Sequence, residues 1–333
     1  MRRAKRLFEW IVERDNLREA TGKALLGKRG KRDARQFVET LDQNTDRLRE
    51  ELLGGTIELG VHHQFMVHDP KERLITAPCF RERVLHHAIM NVCGPVFERR
   101  LIDDTFACRK GKGRDASLLR TLVFSSRHAF FLKMDIRKYF DSIHHEILLA
   151  QLERIFKDER LLALFARIIG VYEVSPGRGL PIGALTSQHM ANFYLSWFDR
   201  FVKEVLGTRG YVRYMDDCVL WGDSTAELRT KLVRCDEFVT RELGLVIKPE
   251  PFINRTSHGF DFLGARVYPS HLELNSRSRV RFRRKLESLD KALKLGRVSE
   301  AEAQERASSL VAFARSAGIK SWRFRSRVLV SLG

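Results

Sequence analysis

The chain has 333 residues, 44% of them apolar, and carries 60 Lys/Arg against 42 Asp/Glu for a formal net charge of +18. That is ample material for a large core, and no apolar run approaches a bilayer span, which argues against an integral helical membrane protein. A chain this basic most often grips a polyanion, nucleic acid above all, with a basic membrane-surface protein as the alternative.

The charge is concentrated at the ends. Residues 1–35 hold 12 Lys/Arg against 5 Asp/Glu, and residues 275–333 hold 15 against 5, so the middle is close to neutral. A catalytic body flanked by polyanion-gripping segments fits this pattern. The N-terminus "MRRAKRLFEWIVERDN" starts basic, but Glu9, Glu13 and Asp15 interrupt it and no signal-peptide core follows. Cys79, Cys93, Cys108, Cys218 and Cys235 are scattered, without a C-x-x-C pair. Neither a disulfide framework nor a zinc site is indicated, and a cytoplasmic location fits.

In chain order, residues 33–53 have the periodicity of one amphipathic helix stopped by Gly54-Gly55. Residues 62–78 predict a strand, a turn at Asp69-Pro70 and a second strand, followed by a helix over 80–100. "AFFLKMDI", 129–136, is an apolar strand ending in an acid, and 144–156 has helical spacing. The Gly/Pro-rich loop 175–188 leads into a helix from about Ser187 to Leu206, ended by Gly207. "YVRYMDDCVLWGDS", 211–224, is a hairpin with two acids at its tip. Ser224 and Glu227 form a capping box for the next helix, which runs to Gly244. Residues 259–274 predict a second hairpin, and the basic remainder is mostly helical. This order suits an α+β fold, an antiparallel sheet with helices packed on one side.

Asp216 and Asp217 raise the functional question. An Asp pair in a turn is ordinarily turn chemistry. Two mutually repelling carboxylates are also tolerable where divalent cations neutralise them. Asp135, at the end of a buried strand, supplies a third acid, although alone it could equally be a helix cap or an ion-pair partner. Three carboxylates on two strands of one sheet would suit two metal ions about 3.5–4 Å apart, clamping the oxygens of an in-line phosphoryl displacement. The pairs His62-His63, His86-His87 and His144-His145 do not suit shared ligation within a pair, because adjacent side chains point different ways.

"RYMDDCVLWG" resembles the catalytic hairpin of reverse transcriptases, and "FLKMDIRKYFDSI" their first catalytic strand. "RLITAP", "DDTFACRKGKG", "GLPIGALTSQHMANFYL", "LGLVIKP" and "FDFLGARV" resemble the remaining blocks in the family's order, over roughly residues 60–270. The resemblance implies a right-hand polymerase fold with fingers, palm and helical thumb, and RNA-directed DNA synthesis from template RNA, a DNA or RNA primer and dNTPs. It implies a basic N-terminal helical segment over 1–60, fingers with the start of the palm over 61–134, the palm with catalytic site and primer grip over 135–270, and a basic helical thumb over 271–333.

By the same resemblance, Asp135, Asp216 and Asp217, with the carbonyl of Ile136, hold two Mg²⁺ ions, Mn²⁺ being a substitute. Lys71 and Arg73 match the position that holds the incoming triphosphate. Phe140 matches the aromatic that lies under the sugar and blocks a 2′-hydroxyl, whereas Tyr139 is expected in the core. Lys248 matches a proton donor to pyrophosphate, and Phe262, Leu263 and Gly264 match the primer grip. The thumb would track phosphates without sequence preference, and Trp322 and Phe324 either stack on bases or pack in the core.

One block points to a subgroup. In "LPIGALTSQ", Ile182 and Gln188 stand where many reverse transcriptases carry Gln and Pro, a combination resembling the enzymes of diversity-generating retroelements. That likeness implies a bacterial or phage-encoded enzyme that copies a template-repeat RNA into adenine-mutagenised cDNA. It also implies a small basic oligomeric accessory protein and structured retroelement RNA as partners, and no membrane. The rival expectations are a stand-alone intron-like, CRISPR-associated or anti-phage reverse transcriptase, and a non-catalytic RNA-binding scaffold.

Overall fold

The computed structural model describes residues 3–68 and 72–316 of the chain. By contacts these divide into two compact units. One comprises the residues up to Asp103, Asp135–Phe201 and Arg234–Pro249; the other comprises Asp104–Met134, Val202–Val233 and the residues from Glu250 onward.

The first unit begins with four helices, α1 (Leu7–Ile11), α2 (Arg14–Ala24), α3 (Arg32–Glu39) and α4 (Leu41–Gly54). The single helix expected over 33–53 is broken at Thr40, which has φ −124° and ψ 51°. The side-chain amide of Asn44 donates to the Phe37 carbonyl and to Thr40 Oγ1, a local alternative to the helical ladder. Strands β1 (His62–Val67) and β2 (Arg73–Pro78) form the expected antiparallel hairpin, its Asp69-Pro70 turn and Lys71 lying outside the described residues. Helix α5 (Phe80–Glu98) follows and buries Val84, Leu85, Ala88 and Ile89.

In the second unit come α6 (Arg114–Arg127) and β3 (Phe130–Asp135). The chain returns to the first unit at Asp135. There it forms α7 (Tyr139–Ser142), α8 (His145–Glu153), α9 (Glu159–Gly170), α10 (Leu185–Tyr194) and α11 (Ser196–Arg200). Phe97 of α5 sits edge-on to Phe156 and Phe193, with centroids 5.5 and 5.2 Å away, and anchors this core. The helix expected to run unbroken from Ser187 to Leu206 instead changes register at Leu195 and ends in a π-helical turn, Phe201–Val205.

Strands β4 (Tyr211–Tyr214) and β5 (Asp217–Gly222) make the acidic hairpin, and α12 (Thr225–Leu243) starts with the amide of Glu227 bonded to Ser224 Oγ at 3.1 Å. Strand β6 (Phe252–Arg255) completes a sheet of order β4-β5-β3-β6. A separate antiparallel sheet, β7 (Phe260–Phe262), β8 (Ala265–Val267) and β9 (Leu272–Leu274), precedes α13 (Ser276–Lys294) and α14 (Glu300–Ser316). Phe131, Val212, Val219 and Trp221 of the first sheet share one core with Phe260, Phe262 and Val267 of the second. Trp322 and Phe324 lie outside the described residues. No described helix is long and apolar enough to cross a membrane.

Candidate active site

Tyr214 pairs with Asp217 across the acidic hairpin, so the turn consists of Met215 and Asp216 alone. Met215 is left-handed, with φ 57°. For a residue with a Cβ that conformation costs roughly 1–2 kcal/mol, and it persists only where the surroundings impose it. Arg213 does so. Its side chain is fully buried, and Nη1 donates to the Met215 carbonyl at 2.9 Å. Its own amide donates to Asp104 O at 2.9 Å, and its carbonyl accepts from Phe106 N at 3.0 Å. Behind the turn, Cys218, Val219, Leu220 and Trp221 are all buried. The apolar strand thus forms a rigid base on which Asp216 and Asp217 stand. Asp217 Oδ1 lies 3.4 Å from the ammonium of Lys133 on β3, the next strand in the sheet.

Asp135 closes β3 after the buried run Phe131, Leu132 and Met134. Its Oδ2 is ion-paired with Lys248 Nζ, while Oδ1 is buried without a hydrogen-bond partner. A short ladder fixes this segment: Lys248 N donates to Asp135 O and Arg137 N to Val246 O, both at 2.8 Å, around the antiparallel bridge Ile136–Ile247. In such a bridge the paired residue's own N–H and C=O point away from the partner. The Ile136 carbonyl therefore faces away from the Lys248 segment.

Phe140 is half-buried, and its carbonyl accepts from Leu180 N at 2.9 Å, tying the sugar-site candidate to the Gly/Pro loop. Tyr139 is a core residue, as expected: it is buried and its hydroxyl bonds the Ala191 carbonyl. Ile182 and Gln188 are half-buried. The Ile182 carbonyl accepts from Thr76 N of β2 at 2.7 Å. Gly183, at φ +128°, permits that approach, since a Cβ there would come within 2.9 Å of Ile75 Cγ2. Arg73 is exposed at the start of β2.

In the second unit Phe262 is buried, and Leu263 and Gly264 form a two-residue turn with φ 47° and 81°. A Cβ on Gly264 would meet Ser278 Oγ at 2.9 Å. Arg114 Nε donates to the Leu263 carbonyl at 2.8 Å.

Among the described residues no three His, Cys, Asp or Glu side chains form a closed metal site. Magnesium seldom uses one: it is commonly held by one or two carboxylates together with substrate phosphates. The chemistry present fits that mode. Asp135 presents a buried oxygen without a hydrogen-bond partner and pairs with Lys248, while Asp217 lies beside Lys133. His62 Nε2 and His86 Nε2, from two different pairs, each lie 3.6 Å from Oε1 of the buried Glu82. Burial drives the His86 pKa down to about 3 and raises that of Glu82.

Lys133, Arg213 and Arg114 were not legible as site residues by motif. Lys133 had a signal: it stands two residues before Asp135, hence on the same face of the strand. Arg213 had another, a charge within an apolar strand. Arg114, far away in sequence, had none.

The family model for reverse transcriptase (RNA-dependent DNA polymerase) matches residues 68–267, more than half of the chain. Protein YkfC of Escherichia coli (strain K12) is 25% identical over 211 residues, covering 56% of this chain and 52% of its own. Nuclear intron maturase 4, mitochondrial, of Arabidopsis thaliana is 26% identical over 162 residues, 46% of this chain and 20% of its own. The putative COX1/OXI3 intron 1 protein of Saccharomyces cerevisiae is 22% identical over 134 residues, 38% of this chain and 16% of its own. The chain thus spans about half the length of the first relative and a fifth or less of the two intron proteins. Among solved structures, telomerase from Candida albicans in complex with a telomeric RNA fragment superposes with TM-score 0.50 at 11% identity, over 83% of this chain and 55% of that one. That likeness concerns the fold alone.

Proposed function

The chain belongs to the reverse transcriptase family, and from that premise we propose that it is an RNA-directed DNA polymerase working by metal-assisted nucleotidyl transfer. The observation that carries this reading is the strained Met215–Asp216 turn, braced by buried Arg213, which presents two adjacent carboxylates at the head of β5.

In this reading the primer's 3′-oxygen forms a bond to the α-phosphorus of a dNTP, the bond from that phosphorus to the pyrophosphate oxygen breaks, and the hydroxyl proton leaves to solvent. Asp135, Asp216, Asp217 and the Ile136 carbonyl would hold two Mg²⁺ ions, with Mn²⁺ as substitute. When bound, such ions stabilise charge on the attacking and leaving oxygens. Arg73 and Lys71 neutralise the triphosphate. Lys248, paired with Asp135 before substrate enters, is the candidate donor of a proton to pyrophosphate. Phe140 rejects a 2′-hydroxyl, and Phe262, Leu263 and Gly264 support the primer end. The segments 1–60, 61–134, 135–270 and 271–333 serve as basic arm, fingers, palm and thumb.

The finer proposal is a diversity-generating enzyme. Ile182 cannot make the hydrogen bond that Gln makes at this position, and Gln188 puts a polar group near the template base. Both relax selection, giving errors opposite template adenines. A small basic oligomeric accessory protein and structured RNA complete the assembly. The intron proteins among the relatives favour a second reading, an accurate intron-like enzyme.

Primer extension on an RNA template with dNTPs and Mg²⁺, with sequencing of the cDNA, tests all of this. Errors concentrated at adenines, reduced by Ile182→Gln, support the finer proposal; accurate cDNA supports the intron-like reading. Synthesis that survives Asp135→Ala would sink the catalytic assignment of Asp135; no synthesis under any condition, with RNA binding intact, would leave an RNA-binding scaffold.

A further inference from the structure

We propose that Lys133 is a positioning residue that gauges the distance between the catalytic carboxylate Asp217 and the Leu263–Gly264 turn, and so registers the primer terminus. The inference rests on the polymerase reading above. It begins with the edge of the second sheet. The order β7-β8-β9 leaves β7 at an edge. Phe260 pairs with Val267 and Phe262 with Ala265 around a two-residue turn. In a hairpin of that length the flanking pair exchanges its hydrogen bonds, and alternation then turns the polar groups of Asp261 outward. An outward carbonyl on an edge strand ordinarily bonds water or another strand.

Here it accepts from Lys133 Nζ at 3.0 Å. The same ammonium is 3.4 Å from Asp217 Oδ1 and 6.0 Å from the Phe262 ring centroid. One cation thus spans the edge of the grip strand and the head of β5. Its backbone is fixed on both counts: β3 pairs through Lys133 with Phe252, and Phe131, two residues earlier on the same face, stacks on Phe260 at 4.1 Å. The turn itself is held independently. Arg114 donates to the Leu263 carbonyl and lies 4.1 Å over the ring of Phe313 on α14. A turn with two left-handed residues, held at the Leu263 carbonyl and at the Asp261 carbonyl of the strand before it, is pre-organised to present its backbone in one position. Lys133 is the clamp member that also touches the catalytic hairpin.

A group that sets position rather than affinity should change the rate of the chemical step and leave binding alone. Misplacement by about 1 Å can cost up to about a hundredfold. The experiment is single-turnover primer extension on an RNA template with Mg²⁺ and dNTPs, comparing the full chain with Lys133→Met and Lys133→Arg. Primers ending in a matched or a mismatched base are used, and the primer–template Kd, the dNTP Kd and the thermal midpoint are read alongside. Lys133→Met should slow extension of matched ends by at least about tenfold. Both Kd values should stay within about twofold, and the preference for matched ends should shrink, since a mismatched end is already out of register. Lys133→Arg should restore most of the rate.

An unchanged rate in Lys133→Met overturns the proposal. So does a loss confined to either Kd, or one that follows the thermal midpoint and is not rescued by Arg. If the unaltered chain extends no primer while still binding RNA, it is the polymerase reading that has failed, and this inference falls with it.

Discussion

The second unit contains two tight turns that solve one problem in different ways. Met215 and Leu263 are both large apolar residues forced into the left-handed region, at φ 57° and 47°, and each has its carbonyl held by an arginine. At the catalytic hairpin the arginine is Arg213, two residues earlier on the same strand and buried. At the grip turn it is Arg114, at the start of α6 and 149 residues away. The first turn is braced by its own strand and moves only with the hairpin. The second is braced by distant groups, Arg114 and Lys133, and its position reports on them. On the polymerase reading, a turn that would carry metal ligands gains from internal rigidity, whereas one that would support a primer gains from being referenced to the carboxylates.

The comparison is broken most directly at the acids. Asp217→Asn should cost more than about a hundredfold in primer extension, as expected for removing a group that acts on transition-state charge. Asp261→Asn should change the rate by less than about twofold: its exposed carboxylate pairs only marginally with Arg266, at 3.3 Å, and its carbonyl, the group bonded to Lys133, is untouched. Equal losses at the two positions would remove the distinction between the hairpins.

The next effect separates the two arginines. Arg213→Met leaves a strained turn and a buried carbonyl without its donor, which should cost about 1–3 kcal/mol and lower the thermal midpoint by several degrees. Arg114→Met, at a half-buried site, should lower the midpoint less while still slowing extension. Differential scanning calorimetry beside primer extension would check both, and a larger midpoint loss for Arg114→Met would reverse the assignment of internal and external bracing.

Gly264→Ala is a smaller probe. A Cβ at φ +81° and 2.9 Å from Ser278 Oγ should cost about 1 kcal/mol and displace the grip turn without touching the catalytic one. Extension should fall while Mg²⁺ half-saturation stays constant; a shifted Mg²⁺ dependence would show that the two turns are not separable.

The smallest effect belongs to the first unit and serves as a control outside both turns. Burial keeps His86 neutral down to about pH 3 and His87 down to about pH 4, against an ordinary value of 6.5. Below pH 6.5 the unfolded chain takes up protons that these residues refuse in the fold, so they remove stability as pH falls toward 4. Glu82, whose pKa burial raises, acts oppositely, because the fold accepts its proton before the unfolded chain does. Between pH 7 and 5, His86→Leu should therefore lose less of its thermal midpoint than the unaltered chain, and Glu82→Gln should lose more. Identical slopes for all three would show that the buried cluster does not titrate with folding.

Sequence by itself determined a good deal. Turn residues and apolar runs placed β1, β2, β3 and the acidic hairpin nearly to the residue, because turn residues end extended segments and the runs of β3 and β5 are buried along most of their length. The order of the blocks identified the family, and with it Asp135, Asp216 and Asp217 as candidates. Local polar competition at Thr40 and the change of register at Leu195 were not legible, since both depend on hydrogen bonds and packing that interrupt an otherwise helical pattern.

Tertiary structure alone decided which cation meets which acid. Lys248 was expected at the pyrophosphate, and the fold pairs it with Asp135. Lys133 had the spacing of a site residue, but only the place of β3 beside β5 and the approach of β7 gave it Asp217 and Asp261 as partners. Glu82 lies between His62 and His86 because β1 and α5 meet there. Periodicity reports which face of an element is buried; it carries no information about the distant element against which a polar tip on that face will come to rest, and in this protein that is where the site is held.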